Sequence, residues 1–479
     1  MLNENRKCET DMTINSHSAK IGGCSLAKRP KSEEVEGVGA PLPDWTHLPS
    51  LLLHQTFEYL NRDDLLNAGM VCKNWRLHIF HPKWWPAMTF KIESNEMKRA
   101  KFHTNTFGHV VSEATVKVSS LTYECVREFA TLLRVLSTNN NLRSLIIEPT
   151  HCRFELPPKR IVDDGKYDDL DEMMWSLDEC LPRLTKFSIG GLEELSYYLD
   201  DILRRLRPKV THLGLASVKD DPLIYTKQYL NPDLVVPFHN LRVLSMDYDN
   251  LSDELLNNLE SARSLERLVV HVHGVHQGHA GTSNGAWHRF TESHPDCGLR
   301  LTVIHAFKDI HDLHNNVLRP DMPLTHLKVL FCESINMELL ELMPLYYKRT
   351  LRSLMWIDSI RNSKDSWTFI QLHIPNPLVM AAWLCKQLEE LVMYGYKYNA
   401  DDLMAIGRLR GANLKNLDVP EDDILYSDTS ATVLLKDIRK NLGRKWTPHK
   451  SSDLHPVICS PLAGDSDEYL LPIVLADLH

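Results

Sequence analysis

The stretch from Leu48 to Trp85 reads LPSLLLHQTFEYLNRDDLLNAGMVCKNWRLHIFHPKWW and decides how the fold begins. Leu48 and Pro49 predict the start of a helix, because proline lacks a backbone N–H and is well tolerated in the first helical turn. Asn61, followed three residues later by Asp64, is typical of the cap of a second helix. A third short helical segment is predicted to end at Trp85. A module of about forty residues rarely buries enough surface to be stable alone, so we expect it to pack against a partner.

These residues, in this order, resemble the F-box family. The family pattern is Leu-Pro, a Leu-Leu pair, Phe-x-x-Leu, Asp-Leu, Val-Cys-x-x-Trp and a final Trp. The matching residues are Leu48, Pro49, Leu52, Leu53, Phe57, Leu60, Asp64, Leu65, Val71, Cys72, Trp75 and Trp85. Leu51 and Thr56 depart from the pattern, which often has an acidic residue and an isoleucine there. The alternative interpretation, that these are only core positions of an ordinary helical hairpin, does not account for the complete ordered set.

The resemblance implies that this module binds a Skp-type adaptor through its apolar side chains. The adaptor-binding residues implied in this way are Leu48, Pro49, Leu52, Leu53, Phe57, Leu60, Leu65, Val71 and Trp75.

The rest of the chain is dominated by a repeat of the form Leu-x-x-Leu-x-Φ, where Φ is apolar. Nine copies start at Leu142, Leu184, Val210, Leu241, Leu265, Leu324, Leu351, Leu388 and Leu414. The spacing of 24 residues from Leu241 to Leu265 falls within the leucine-rich-repeat period of about 20 to 29 residues. The double gap before Leu324 contains Leu299 and Leu301, which indicate a degenerate copy. The pattern predicts an irregular leucine-rich-repeat solenoid in an α/β fold.

Side chains alternate between the two faces of a strand, so the repeat leucines are predicted to point into the core. The intervening residues are then predicted to line a concave face of parallel strands, with helices such as 252–261 on the convex side. This geometry places eight candidate substrate-binding residues on the concave face: Asp247, Asp249, His271, His273, Lys328, Glu390, Tyr394 and Tyr396. The two tyrosines are the favoured anchors, because binding energy concentrates in aromatic residues.

Taken together, an N-terminal three-helix F-box followed by repeats resembles the F-box proteins of ubiquitin ligases, in particular the F-box only protein 39 and F-box only protein 33 group. The segment FHNLRVLSMDYDNLSDELLNNL, from Phe238 to Leu259, carries much of this likeness. The resemblance implies a substrate-recognition subunit of an SCF complex, with a Skp-type adaptor, a cullin scaffold, a RING-finger protein and an unknown protein substrate as partners. The alternative function is a repeat scaffold whose F-box-like segment is only an intramolecular cap.

Composition shifts predict five regions along the chain. Residues 1–40 are polar and are predicted to form a disordered arm, 41–90 the F-box, and 91–140 a connecting layer with a helix at 121–136. Residues 141–420 carry the repeats, and 421–479 form a C-terminal segment and tail. The late apolar patch from Tyr469 to Leu475 is predicted to fold back and cap the last repeat, since terminal repeats need their core covered.

Charge and cysteine usage narrow the class of protein. The net charge is −9 and the pI is about 6.2, whereas a nucleic-acid-binding domain typically has clustered basic charge and a pI above about 9. The 10 cysteines are scattered without paired spacing, which favours reduced thiols in the cytoplasm or nucleus. The start of the chain lacks the apolar core of a signal peptide, and no run reaches the roughly 18 apolar residues of a membrane helix. We expect neither nucleic acid nor membrane as a partner.

Candidate chemistry is sparse. His271, His273, His276 and His279 suggest imidazole ligands for a metal, but no cysteine or carboxylate lies nearby at ligand spacing. No nucleophile motif such as G-x-S-x-G is present. The sequence therefore predicts a non-catalytic chain without cofactor or metal.

Overall fold

The computed structural model describes residues 44–156, 169–227, 229–275, 278–359, 376–426 and 429–478. The predicted arm at 1–40 and His276 lie outside the described residues. The described part is an α/β structure with three short helices at its start, followed by a solenoid of parallel strands, as the sequence predicts. Within it, no helix has both the length and the apolarity needed to cross a membrane.

The first three helices begin where the sequence signals predict. They are α1 Ser50–Phe57, α2 Arg62–Ala68 and α3 Lys73–Ile79. Pro49 occupies the cap position before α1. Asn61 caps α2, because its side-chain oxygen accepts a 2.9 Å hydrogen bond from the backbone N–H of Asp64. Together with a short 3-10 turn at Trp45–His47, these helices are called the F-box module below.

Twelve strands form one parallel sheet in which each strand pairs with its neighbours in chain order. They are β1 Ala87–Ile92, β2 Glu113–Val118, β3 Ser144–Pro149, β4 Lys186–Ser188, β5 His212–Gly214, β6 Val243–Asp247, β7 Arg267–Val272, β8 Gly298–Ile304, β9 Leu324–Leu330, β10 Ser353–Ile357, β11 Glu390–Tyr394 and, after a short β12, β13 Asn416–Asp418. The strand β12, Tyr398–Asn399, pairs separately with β14, Ile424–Leu425.

Helical connections follow most strands. They are α4 Met97–Phe107, α5 Tyr123–Ser137, α6 Asp169–Cys180, α7 Glu193–Ser196, α8 Leu199–Arg205, α9 Asp253–Asn258, α10 Asn284–Ser293, α11 Leu313–Asn316, α12 Met337–Tyr346, α13 Pro377–Leu384, α14 Ala400–Arg410, α15 Ala431–Leu442, α16 Pro456–Cys459 and α17 Ser466–Leu475. The helices predicted at 121–136 and 252–261 are confirmed by α5 and by α9 with the 3-10 turn that continues it to Ser261.

The main core lies between the sheet and the helices. All nine predicted repeat starts are buried in it, and β8 confirms the degenerate copy. Leu244 of β6 and Leu268 of β7 are register partners, and both are inaccessible to solvent. Their neighbours Ser245 and Val269 point to the opposite side of the sheet, since strand side chains alternate. We call that opposite side the concave face.

The predicted connecting layer at 91–140 is instead part of the solenoid. Strands β1 and β2 are the first two strands of the same sheet, with α4 and α5 as their connections. Both strands lack the leading leucine of the repeat pattern, and β2 fills the core with Ala114 and Val116. The repeat motif was therefore too strict to detect them.

The end of the chain does not cap the last repeat as predicted. That role belongs to α15, whose Leu434 and Ile438 are buried in the main core, and to Trp446, whose indole N–H donates to the carbonyl of Leu417 at 2.7 Å. Residues 454–478, called the C-terminal segment below, lie on the concave face. There, Leu470 and Leu471 are buried in a second apolar cluster with strand residues.

Candidate adaptor-binding surface and concave face

Three of the residues predicted to bind an adaptor form the core of the F-box module. Leu53, Phe57 and Leu65 are buried, so no partner can reach them without unfolding the module. Trp75 is half-buried against Phe57, with ring centroids 5.7 Å apart. Leu53, Phe57 and Leu65 hold the three helices together, and the assignment of these three to the docking surface is wrong. The apolar residues of a short helix include some that pack into the core of the module and some that are exposed to a partner. Their spacing in the sequence does not show which residues belong to which group.

The exposed apolar side chains of the module differ from the predicted set. Six of them, between 46% and 74% exposed, are named the docking surface: Trp45, Leu51, Leu52, Met70, Val71 and Leu77. Leu52 and Val71 were predicted, Pro49 is also exposed, and Leu48 and Leu60 are half-buried. Leu51 was set aside as a departure from the family pattern, but its exposure places it among the docking residues. Single exposed apolar residues are common on protein surfaces, whereas large contiguous apolar patches are typical of interaction sites.

Hydrogen bonds connect the start of α3 to the 3-10 turn that carries Trp45 and to Leu48. The indole N–H of Trp75 donates to the carbonyl of Trp45 at 2.9 Å. The side-chain amide of Asn74 donates to the carbonyls of Thr46 and Leu48, at 3.0 and 3.2 Å. The 3-10 turn before α1 is therefore fixed to the first turn of α3, which brings Trp45 beside the start of α3.

The opposite side of the module is anchored to the solenoid. Trp85 is fully buried, its ring lies 4.6 Å from that of Phe107 on α4, and its indole N–H donates to the carbonyl of Ile79 at 2.9 Å. Phe80 also packs against Phe107, with centroids 6.1 Å apart. A module that served only as an internal cap would bury its apolar surface in this contact. Here the contact is made by one side, and the docking surface stays open.

On the concave face, Asp247 is the centre of a buried polar network. Its carboxylate lies 3.1 Å from the ammonium of Lys219 and accepts a 2.8 Å hydrogen bond from the backbone N–H of Ser217. Burial alone raises the pKa of Asp247, but the charges of Lys219 and His273 outweigh it and hold this pKa below its usual value. The network binds β6 to the loop after β5, so Asp247 is structural and is not available to a substrate.

His271 and His273 belong to the same network. His271 Nδ1 and His273 Nε2 each lie 3.0 Å from the carbonyl oxygen of Ser217. Burial lowers the pKa of His271. The sequence reasoning that no carboxylate accompanies these histidines is wrong, because parallel pairing of β6 with β7 places Asp247 opposite His271. Their assignment to substrate binding is also wrong, since both side chains are buried.

Lys328 is held by the C-terminal segment. Its ammonium donates to Asp477 at 2.8 Å and to the carbonyl of Ile473 at 2.9 Å, while Arg300 donates to the other oxygen of Asp477 at 2.7 Å. Burial raises the pKa of Asp477, yet Lys328 and Arg300 more than compensate and lower it overall. Lys328 points to the concave face as predicted, but it is buried under the chain's own terminus.

The two predicted tyrosine anchors are also buried. Tyr394 points to the concave face and is buried in the cluster that contains Val474 of the C-terminal segment. Tyr396 lies in the main core and donates its hydroxyl hydrogen to Asp358. Residues two positions apart on a strand point to the same face, but Tyr394 and Tyr396 do not. The reason is that β11 ends at Tyr394 and Gly395, with φ +86°, changes the direction of the backbone. Neither tyrosine is an exposed anchor.

Asp249 and Glu390 remain half-buried, and both already have partners. Asp249 accepts a 2.7 Å hydrogen bond from Tyr225, and Glu390 accepts hydrogen bonds from Ser353 at 2.6 Å and Asn416 at 3.0 Å. The strand pattern correctly predicts that strand residues such as Lys328 and Tyr394 face away from the main core, but it is wrong for Tyr396 beyond the end of β11. It gives no sign that the C-terminal segment, whose Asp477 lies 149 residues after Lys328, covers Lys328 and Tyr394.

The fold and the two surfaces define a chain with an F-box-like domain at the start of a leucine-rich-repeat-type solenoid. The family model described as F-box-like matches residues 45–91. The chain is 22% identical to the F-box only protein 33 of Homo sapiens, over 83% of this chain and 82% of that protein. It is 23% identical to the F-box/LRR-repeat protein 21 of Ovis aries, over 86% of this chain and 91% of that protein. The crystal structure of the Rad7 and Elc1 complex in yeast matches with a TM-score of 0.36 and 13% identity, covering 80% of this chain and 90% of that chain.

Proposed function

We propose that this protein is the non-catalytic substrate-recognition subunit of an SCF-type ubiquitin ligase. In this function the F-box module binds a Skp-type adaptor, and through it a cullin scaffold and a RING-finger protein. The observation that carries the proposal is the open docking surface on a module whose other side is fixed to the solenoid. The similarity to F-box only protein 33 and F-box/LRR-repeat protein 21 supports the same class.

The rigid joint at Trp85 fits this function. A substrate receptor has to hold its substrate at a defined distance from the rest of the ligase, since productive transfer depends on positioning. Eight described cysteines are free thiols, which suits the reducing cytoplasm or nucleus where we propose that the protein acts.

Adaptor binding is tested by charging the docking surface. Leu51→Glu with Val71→Glu removes two exposed apolar contacts, each contributing roughly 1.5 to 3 kcal/mol when buried by a partner. We expect the affinity of the full chain for a purified Skp-type adaptor to fall about a hundredfold or more, since each 1.4 kcal/mol is roughly a factor of ten. The measurement is a titration by calorimetry or interferometry.

The matched control is Leu223→Glu with Ile224→Glu, which charges two apolar residues on the solenoid that are at least as exposed as Leu51 and Val71. This control should bind the adaptor as the wild type does. Absence of adaptor binding by the wild type would favour the alternative, a repeat scaffold with an F-box-like cap. The substrate is then sought by comparing protein abundances in cells carrying the wild type and the charged variant.

A further inference from the structure

A group of metal-ligand side chains lies where the C-terminal segment meets the loop after β3. His151 Nδ1 is 3.7 Å from Cys152 Sγ and 3.5 Å from Asp467 Oδ2. All three ligand atoms lie within 4.8 Å of one another. Cys152 and Asp467 are buried, and His151 is only 12% exposed at its side chain. Thiolate, imidazole and carboxylate are the three ligand types that zinc prefers in proteins.

The hydrogen bonds of His151 assign Nδ1 as the nitrogen that carries an electron pair and no hydrogen, although this pair accepts a long hydrogen bond that zinc would have to replace. Its Nε2 lies 3.2 Å from Asp465 Oδ2, so Nε2 is the nitrogen that carries hydrogen and donates. The backbone N–H of Arg153 approaches Nδ1 at 3.3 Å, which requires an acceptor there. A carboxylate on the far nitrogen is the usual arrangement around a metal-binding histidine, because it fixes both the tautomer and the ring orientation.

The charges around this group also favour a cation. Asp465 and Asp467 converge on His151, and no lysine or arginine among the described residues lies within ion-pair distance of either carboxylate, whereas Asp220, at 3.9 Å from His151, is paired with Arg153 at 3.3 Å. Cys152 and Asp467 are both buried, and a metal ion binds such groups as thiolate and carboxylate. A divalent metal would stabilise the ionised forms.

The second group of this kind, Asp247 with His271 and His273, lacks these features. Its carboxylate is already paired with the Lys219 ammonium at 3.1 Å, and one nitrogen of each imidazole faces the Ser217 carbonyl. A metal ion there would have to displace a buried cation. At His151 and Asp467 the competing partners are backbone N–H groups, of Arg153 at 3.3 Å and of Cys152 at 2.8 Å, and no described lysine or arginine is paired with Asp467.

We propose that His151, Cys152 and Asp467 form a zinc site that fastens the C-terminal segment to the solenoid. In a tetrahedral site with Zn–N and Zn–S bonds of roughly 2.0 and 2.3 Å, neighbouring ligand atoms lie roughly 3.3 to 3.6 Å apart. The two separations at His151 already approach this range. A cavity of about 270 Å³, lined in part by Asp220, Asp465, His305 and Lys219, adjoins the site and has room for a water molecule as fourth ligand.

The site joins two parts of the chain that are 315 residues apart. Cys152 follows β3, whereas Asp467 lies in the first turn of α17, and the backbone N–H of Cys152 already donates to Asp467 at 2.8 Å. Helix α17 is the part of the C-terminal segment that covers the concave face. Zinc at this point therefore controls whether the concave face is covered, independently of adaptor binding.

The first experiment measures the metal and the thiolate bond directly. The full chain is stripped with a chelator, loaded with zinc or with cobalt(II), and desalted. We expect one zinc per chain, and for cobalt a thiolate-to-metal charge-transfer band together with the visible bands of tetrahedral coordination. Cys152→Ser and Asp467→Asn should each lose the stoichiometric metal, and Cys152→Ser should lose the charge-transfer band. Asp467→Asn keeps an oxygen that accepts from Cys152, so it preserves the local hydrogen bond.

Cys297→Ser is the matched control, because Cys297 is also a buried free thiol but lies outside both ligand groups. It should bind metal as the wild type does, and circular dichroism should show that all variants are folded. Stoichiometric cobalt without a thiolate band, or equal binding by Cys152→Ser and the wild type, would overturn the proposal.

The second experiment tests the fastening. Removal of zinc from the wild type should increase hydrogen exchange in α17, with little change in the F-box module. Cys152→Ser should show the faster exchange with or without zinc. Unchanged exchange in α17 on zinc removal would show that the metal does not hold the segment, and would overturn the proposal in that form.

Discussion

Leu52 of the F-box module and Leu330 of the concave face are both leucines outside the main core, yet Leu52 is 46% exposed and Leu330 is fully buried. The difference comes from the C-terminal segment, whose Leu470 and Val474 share an apolar cluster with Leu330. No described part of the chain covers Leu52 to the same extent. The molecule therefore has two apolar surfaces that differ in exposure: the chain itself covers the one at Leu330, whereas the one at Leu52 remains exposed and is the surface that we propose binds the adaptor.

The largest expected effect comes from breaking the ion pairs that hold the C-terminal segment. Asp477→Ala leaves both Lys328 and Arg300 without their carboxylate partner under a buried surface. Removing one partner of a buried pair typically costs about 3 to 5 kcal/mol. We expect α17 to detach, which urea unfolding and hydrogen exchange of α17 would detect. Asp453→Ala, at an exposed carboxylate, is the control and should leave both measurements unchanged. Retained protection of α17 in Asp477→Ala would mean that the apolar contacts and the contacts of Asp467 hold the segment without these ion pairs.

The second prediction separates core from partner surface inside the F-box module. Leu53→Ala removes a fully buried side chain, and such changes typically cost about 2 to 5 kcal/mol. We expect α1 to α3 to lose protection against hydrogen exchange, with the solenoid unaffected, and adaptor binding to be lost with the fold of the module. Full adaptor binding by Leu53→Ala would contradict the assignment of Leu53 to the core.

The sequence was sufficient for the class of fold, because both signals are periodic. The repeat leucines and the F-box pattern report burial directly, and they located β3 to β11, β13 and the three helices. The sequence was insufficient to predict which residues are exposed on the docking surface and on the concave face. Leu51, Leu52 and Leu53 are identical in type, and only the packing of α1 against Trp75 and its neighbours shows which of them is buried. Coverage of Lys328 by Asp477 depends on a contact 149 residues apart, for which no local pattern exists.

A third prediction concerns pH and applies to the solenoid rather than the F-box module. Burial raises the pKa of Asp358 to about 7, despite the hydrogen bond from Tyr396. Because the folded pKa lies above the unfolded value, this group stabilises the fold fully below pH 4 or so, and the contribution is lost as pH rises through about 7.

Buried histidines change stability in the opposite direction, since burial lowers the pKa of His305 to about 4. The quantity to compare is therefore the free energy of unfolding of Asp358→Asn minus that of the wild type at each pH, because the contribution of the histidines is common to both proteins. The variant should gain relative stability between pH 4 and 7, by at most about 1.4 kcal/mol per pH unit, and then level off. Urea unfolding at several pH values provides the measurement. A difference independent of pH would show that Asp358 stays ionised in the folded state.

The smallest expected change in stability belongs to the docking surface. Leu51→Ala alters a side chain that is 69% exposed, so the free energy of unfolding should change by no more than about 0.5 kcal/mol. Adaptor affinity should nevertheless fall by roughly tenfold or more, because a partner that buries this leucine gains roughly 1.5 to 3 kcal/mol from it. Leu223→Ala is the matched control, since Leu223 is also a leucine with 69% exposure but lies on the solenoid. Equal adaptor affinities for the two variants would mean that Leu51 is exposed without being part of the docking surface, and that the partner contacts the module elsewhere.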